Sequence, residues 1–393
     1  MCSPARKGHE DLTSSPPSSR LITGSLLKIA YVAQHGVKLY SVQDINQVNP
    51  AFDDGSETVG RPLVTGCPAG SVGGFGLGLG GPCFPYIGFL DQLGNHSGSS
   101  FNSLQVTLTK RFSQGLYLLA GYTWAHAIDT ATSNVAGVPP NSLNYNAERG
   151  NGDLDIRNRF TLSATYEFPS RKTKWQMLEG WEASTIAMLE GGEPFTLGDF
   201  NDDISLTGEF NDRWNMSGPA SNIHWSALNA IPYVDPTQFI ENSSLDVVSG
   251  ATPAAQLCVN QAFATGGQAA ADQLGSDGGD LGCYVAKNTV ITPPAYGSQG
   301  NMGRNIFRGP TFKNWDFSLS KMFRVRENVR LQVRGEFFNI LNHPNFDVFT
   351  MNTDLSDPTS VGTVIFTPDE AASNPVIGSG GSRHIQLGAK VIW

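Results

Sequence analysis

The last ten residues, His384-Ile385-Gln386-Leu387-Gly388-Ala389-Lys390-Val391-Ile392-Trp393, decide the fold. Ile385, Leu387, Ala389, Val391 and Trp393 occupy every second position, with His384, Gln386, Gly388 and Lys390 between them. A spacing of two is that of a β-strand with one apolar face. The same alternation recurs upstream. Leu104, Val106 and Leu108 oppose Ser103, Gln105 and Thr107, and after a tight turn at 113–115 the set Leu116, Leu118, Ala120, Tyr122, Trp124 follows. Phe160, Leu162, Ala164, Tyr166 and Phe168 oppose Arg159, Thr161, Ser163, Thr165 and Glu167. Trp315, Phe317, Leu319 and Phe323 oppose Asp316, Ser318 and Ser320, with Lys321 anomalous on the apolar side. Val329, Leu331, Val333 and Phe337 oppose Arg330, Gln332, Arg334 and Glu336. Two weaker strands are expected over 22–34 and 180–190, where Lys28, Glu182 and Glu190 blur the pattern.

Composition agrees with an all-β chain. Charged residues are 16% and apolar residues 39% of the 393, both below soluble-domain averages, while 44 Gly and 23 Pro disfavour long helices. No run of eighteen apolar residues offers a transmembrane helix, but a barrel strand crosses a bilayer in about ten residues with only alternate ones apolar. The net charge of -9 argues against a nucleic-acid partner, which needs a basic patch. Residues 1–20 are Ser/Pro-rich and charged and read as a disordered segment without the apolar core of a secretory signal. For an exported chain this implies a missing or nonstandard start.

The connections sort into two kinds. Those at 113–115, 169–178 and 324–328 are short, whereas 42–100, 129–156, 191–311 and 342–383 are long and rich in Gly, Pro, Asn and Asp. Long and short alternate strictly, as in a membrane barrel with short periplasmic turns and long external loops. The fold expected is therefore an antiparallel transmembrane β-barrel. On this reading Arg159, Glu167, Arg330, Arg334 and Glu336 face a polar lumen, since a packed core would not accept them unpaired. Aromatics gather near strand ends, at Tyr122, Trp124, Phe168, Trp175, Trp315, Phe323, Phe337 and Phe338, where membrane interfaces favour them.

Several stretches together resemble the barrel of TonB-dependent receptors of the Oar-like group. They are Ile29-Ala30-Tyr31-Val32 with Asp44-Ile45-Asn46-Gln47, Phe101-Asn102-Ser103-Leu104-Gln105, Gly121-Tyr122-Thr123-Trp124 and Asp155-Ile156-Arg157-Asn158-Arg159-Phe160. Further on come Gly300-Asn301, Gly303-Arg304-Asn305, Arg308-Gly309-Pro310, Asn314-Trp315-Asp316, Arg334-Gly335-Glu336-Phe337-Phe338-Asn339 and Asn342-His343. The resemblance covers 21–393 and implies the C-terminal part of a bacterial outer-membrane barrel of about 22 strands around a plug. This sequence supplies about eight strands, and eight is also a permitted number for a small closed barrel. The resemblance further implies outer-membrane lipid and the barrel assembly machinery as partners, with Ile385, Leu387, Ala389, Val391 and Trp393 as the assembly signal. An unknown extracellular ligand would bind the long loops, and energy coupling of the TonB type would act only through a plug that these residues do not supply. The alternative is a secreted, soluble all-β binding or adhesion module.

Five cysteines place Cys67 with Cys83 in one long loop and Cys258 with Cys283 in another, with Cys2 alone. Two within-loop disulfides are expected if the compartment is oxidising, free thiols otherwise. The segment 193–311 holds twelve Asp or Glu against four Lys or Arg. Within it Asp199, Asn201, Asp202 and Asp203 offer oxygen ligands but lack the distal carboxylate of a calcium loop, so a solvated acidic turn is expected. The glycine run from Gly73 to Gly81 leads into Pro82 and Pro85, which forbids the helix that a phosphate-binding loop requires. Seven scattered histidines form no ligand pair. No catalytic constellation, metal site or cofactor site is read, and the chain is not expected to be an enzyme.

Overall fold

The computed structural model describes residues 24–49, 61, 89–130, 138–173, 176–240, 246–275, 281–368 and 380–393. Eight long strands form one antiparallel sheet in sequence order: β1 Ser25–Asp44, β2 Asp91–Ser113, β3 Leu116–Asp129, β4 Asn158–Glu167, β5 Trp181–Glu190, β6 Phe312–Arg326, β7 Val329–Phe338 and β8 His384–Ile392. A two-residue strand, Gly150–Asn151, adds to the top of β3. No pairing joins β1 to β8 among the described residues, so the sheet is open there.

Register sorts the side chains. Ile29 faces Val106, Val106 faces Tyr122, Tyr122 faces Phe160 and Phe160 faces Leu189. Trp315 faces Ala187, Phe317 faces Phe337 and Phe337 faces Ile385. Directly paired residues point to the same side, so these contacts assemble one continuous apolar face across all eight strands. It stays uncovered: Ile29, Leu104, Trp124, Leu189, Trp315, Leu387 and Trp393 are all exposed. An apolar band of this extent needs lipid.

The alternate positions make a polar face, on which Arg159 pairs across strands with Glu190 at 2.7 Å and Arg334 contacts Glu336 at 3.3 Å. Glu167 stands directly opposite Glu182, and Arg324 opposite Arg330. Facing like charges are tolerable only where water screens them.

The two-residue turn between β2 and β3 uses Gln114 and Gly115, both with positive φ (53° and 78°), the backbone that matches the twist of a hairpin. Lys321 escapes the apolar face by bending toward the β4–β5 turn. Its Nζ donates to the carbonyls of Gln176, Met177 and Glu179 at 2.7–3.1 Å, over the Trp181 and Phe323 rings.

Two expectations need correction. The first strand runs ten residues beyond 34, and β2 begins at Asp91 rather than near 101, so the connection expected over 42–100 shrinks to 45–90. A tilted strand crosses the hydrocarbon in about 9–11 residues, so roughly half of each of these strands stands outside the membrane. The second correction concerns the long loops 191–311 and 342–383, which are not unsupported. They fold together into a cap around Phe195, Leu197, Trp214, Tyr284, Ile291, Val348, Leu355 and Val364. The cap contains a four-stranded sheet ordered Asn215–Ser217, Thr289–Thr292, Cys283–Ala286, Tyr233–Val234. Among the described residues it also contains one α-helix, α1 Pro253–Ala271, whose Cys258 is disulfide-bonded to Cys283 of that sheet. Cys67 and Cys83, the glycine run and residues 1–20 lie outside the described residues.

Trp214 is the largest wholly buried side chain of the cap. Trp214→Ala should cost roughly 3–5 kcal/mol of cap stability. We expect limited proteolysis to release cap fragments from this variant while the strand region stays protected; equal loss of both would show that cap and sheet unfold as one unit.

Candidate functional site at the barrel–cap junction

The cap meets the rim of the sheet through polar residues, of which Asp155, Arg157, Arg304, Asn305 and Arg308 belong to the stretches singled out in the sequence. Asp155, fully buried in the β3–β4 connection, is the hub. It accepts from the Ala127 amide at 2.7 Å, from Arg157 Nε at 2.8 Å and from Arg308 Nη2 at 2.6 Å. Arg304 reaches from the cap to the end of β3, donating to the Asp129 carbonyl at 3.0 Å and pairing with the Asp129 carboxylate. It also donates to the Glu148 carbonyl and contacts Asp153 at 3.3 Å. Asn305 and Asn151 exchange side-chain-to-carbonyl bonds at 2.7 and 2.8 Å, and Arg213 grips Glu148 with both terminal nitrogens at 2.8 and 2.7 Å. Bidentate guanidinium–carboxylate pairs fix orientation as well as distance.

The other motifs form similar joints. Asp44 accepts from the amides of Asn46 and Leu90 and from Arg61, closing the extended hairpin. Asn339 bonds the His343 carbonyl and the Gly381 carbonyl, while Asn345 exchanges bonds with the backbone of Lys313. The Asn342-His343 turn is thereby a structural corner leading from β7 into the cap. Between cap and rim a cleft of about 230 Å³ is lined by Tyr145, Glu148, Asp153, Phe200, Arg213 and Arg304 among others.

The acidic turn differs in part from expectation: Asp199 is buried and Asp202 and Asp203 are half-buried, while Asn201 is exposed. Asp199 spends one carboxylate oxygen on the amides of Asn201 and Asp202 and the other on Trp214 Nε1. Asp203 accepts from Thr207 and Gly208, and wholly buried Asp212 accepts from the Ser205 amide. Among the described residues no group of three or more His, Cys, Asp or Glu is arranged to hold a metal ion. These acids tie loop backbone together, a role that spacing alone does not distinguish from solvation.

Burial shifts the acids upward. Desolvation raises Asp199 to about 6 and Asp212 to about 7 against the hydrogen bonds that lower them. Glu209 is pushed to about 8 by burial and then by Asp44 and Asp91, and its Oε1 has no hydrogen-bond partner among the described residues. Asp155 moves the other way: burial raises it, but Arg308, the Ala127 amide and Arg157 together hold it below its ordinary value.

The five residues assigned to a polar lumen, Arg159, Glu167, Arg330, Arg334 and Glu336, all lie on the polar face of the sheet. Ile385, Leu387, Ala389 and Val391 lie on the apolar face at the β8 edge. The joints and the cap core were not identified from periodicity. The joint residues had a signal only in the resembling motifs.

An antiparallel sheet with a lipid-demanding face, short turns at one end and a folded cap at the other defines an outer-membrane β-barrel. The sequence matches the family of outer membrane beta barrel domains over residues 19–386, and the chain belongs to that family. It is a protein of the bacterial outer membrane. The solved outer membrane transporter YddB from Escherichia coli is similar at 7% identity with a TM-score of 0.37, over 95% of this chain and 31% of that one. The chain thus spans about a third of the transporter's length. No curated protein matches the sequence.

Linkage assigns opposite pH responses to the two kinds of acid. With folded values raised, Asp199, Asp212 and Glu209 hold protons that the unfolded chain releases. Their contribution is therefore fully present below the ordinary carboxylate range and lost as pH rises through about 6, 7 and 8. Asp155, with its lowered value, stabilises above 3.8 and loses that contribution as pH falls through its folded value. We expect the thermal midpoint of the cap, followed by tryptophan fluorescence, to fall between about pH 5 and about pH 8, and Glu209→Gln to reduce that slope. A midpoint that rises over this range would contradict the assignment.

Proposed function

We propose that the chain is the C-terminal barrel portion of a TonB-dependent receptor of the Oar-like group. The cap binds an extracellular ligand, and the polar face lines the path of passage. The observation that carries this reading is the polar face itself. An eight-stranded barrel has an interior just wide enough for side chains to fill, so its charges would have to pair inside a packed core. Here Glu167 stands opposite Glu182 and Arg324 opposite Arg330, like charges that a packed interior could not hold without water between them. A wider, water-filled lumen accommodates them. The edges give further support. Strands in hydrocarbon must have every backbone group paired, and the outer edges of β1 and β8 have no partner strand among the described residues. Additional strands would satisfy both edges. The β8 face bearing Ile385, Leu387, Ala389, Val391 and Trp393 would then be read by the barrel assembly machinery, and energy coupling would act through a plug that is not among these strands.

Single cysteines test the lumen, introduced where Cys2, Cys67 and Cys83 are serine. In outer membranes, cysteines at Ser163, Ser318 and Gln332 should react with a charged maleimide, and cysteines at Leu162, Leu319 and Leu331 should not. Silence at all six positions would indicate a small, packed barrel; reaction at the apolar set would overturn the lipid-facing assignment.

A further inference from the structure

At the short-turn end, the β4–β5 connection folds back on the sheet and leaves an apolar groove of about 460 Å³, lined by Phe168, Pro169, Arg171, Leu178, Trp181 and Leu319. That volume lies within the roughly 300–1,000 Å³ of small-molecule sites. We propose that this groove is a specific site for an anionic glycerophospholipid of the periplasmic leaflet, its acyl chain along the apolar walls and its phosphate on Arg171.

Three observations support it. First, the groove continues the lipid-facing surface, because Trp181 and Leu319 belong to the apolar face of the sheet. Second, its wall is built rather than adventitious. The Phe168 amide bonds the Trp181 carbonyl, the Arg171 amide bonds the Leu178 carbonyl, and Trp181 Nε1 donates to Met177 at 2.7 Å. Gln176 exchanges bonds with the Arg324 backbone at 2.9 and 3.0 Å, and Lys321 Nζ holds three carbonyls of the turn. Third, the charge at its mouth is unspent. Arg171 and Lys172 are exposed, and neither makes an ion pair among the described residues. The nearby acids are otherwise placed: Glu179 accepts from the Thr173 amide, and Glu167 and Glu182 lie on the polar face. A guanidinium at the end of an aromatic-walled groove matches a phosphodiester above an acyl chain. Ordinary boundary lipid would need neither the rigid wall nor the unpaired arginine.

The periplasmic source rests on the orientation proposed above, with short turns inward. The test reconstitutes the full chain into mixed phosphatidylethanolamine–phosphatidylglycerol vesicles, releases it in mild detergent and measures retained lipid by native mass spectrometry. Phosphatidylglycerol should be retained several-fold over phosphatidylethanolamine. The double variant Arg171→Gln, Lys172→Gln should lose that preference, Arg171→Lys should keep most of it, and Leu178→Asp should lose retention of both lipids. Far-ultraviolet circular dichroism matching that of the unaltered chain verifies that each variant is folded. Equal retention of the two lipids by the unaltered chain, or an unchanged preference in the double variant, would overturn the site. Preferential retention of added lipid A would overturn the periplasmic source and, with it, the orientation, while leaving the lumen test unaffected.

Discussion

Hydrocarbon supplies no hydrogen-bond partner for a peptide group, so within it each strand must be laddered to its neighbours, and the ladder's register decides where every side chain points. The structure depends on that constraint. A one-residue slip of β4 against β3 would place Arg159 and Glu167 in lipid and Phe160 and Leu162 toward water. The register is fixed locally where the short turns leave no slack. Gln114 and Gly115 close β2 on β3 with two positive-φ residues, and Glu327 and Asn328 alone separate β6 from β7. Lys321 shows the same logic from the opposite direction. Its position is dictated by register, and its charge reaches the turn carbonyls because a long flexible stem permits it.

What was legible in the sequence follows from this. Period-two alternation is a local signal, and it is clean wherever a strand lies between lipid and a polar interior, as in β4, β7 and β8. It fades in the upper half of β1, where Gln34, His35, Gly36 and Ser41 stand beyond the membrane and no longer face two different solvents. The cap was illegible for another reason. Its core brings Phe195 and Leu197 against Val348 and Leu355 from a separate connection, and isolated apolar residues drawn from distant segments leave no period to read. A high Gly, Asn and Asp content resembles loop composition, yet here those residues serve backbone ties inside a folded unit. Asp199 is the sharpest example, since the spacing of a ligand loop and that of a buried Asx turn look alike until burial is known.

The motifs that resemble the receptor group carry a different kind of information. Asp44, Asp155, Arg304, Asn305, Arg308 and Asn339 all bond to backbone groups of the protein itself. Each lies at, or reaches from the cap to, a place where a strand leaves the sheet, and each bonds backbone groups there. Such positions demand a side chain of one length and one donor pattern. That is why they read as specific short motifs while the intervening loops do not. A resemblance built from them is therefore evidence about how a cap is mounted on a sheet, and it says little about what the cap holds.

The mounting is polar, and that has a mechanical consequence. Apolar contact between cap and sheet would add stability in proportion to area, with broad tolerance for sliding. Buried ion pairs contribute little net stability, because desolvation offsets most of their attraction, but losing one partner is strongly destabilising. Arg213 on Glu148 and Arg308 on Asp155 therefore act less as adhesive than as locating pins, holding the cap in one position over the strands at small net cost. On the function proposed, a surface that presents one shape above a lumen needs that constancy more than it needs strength; stability comes from the cap's own core while position comes from the joints.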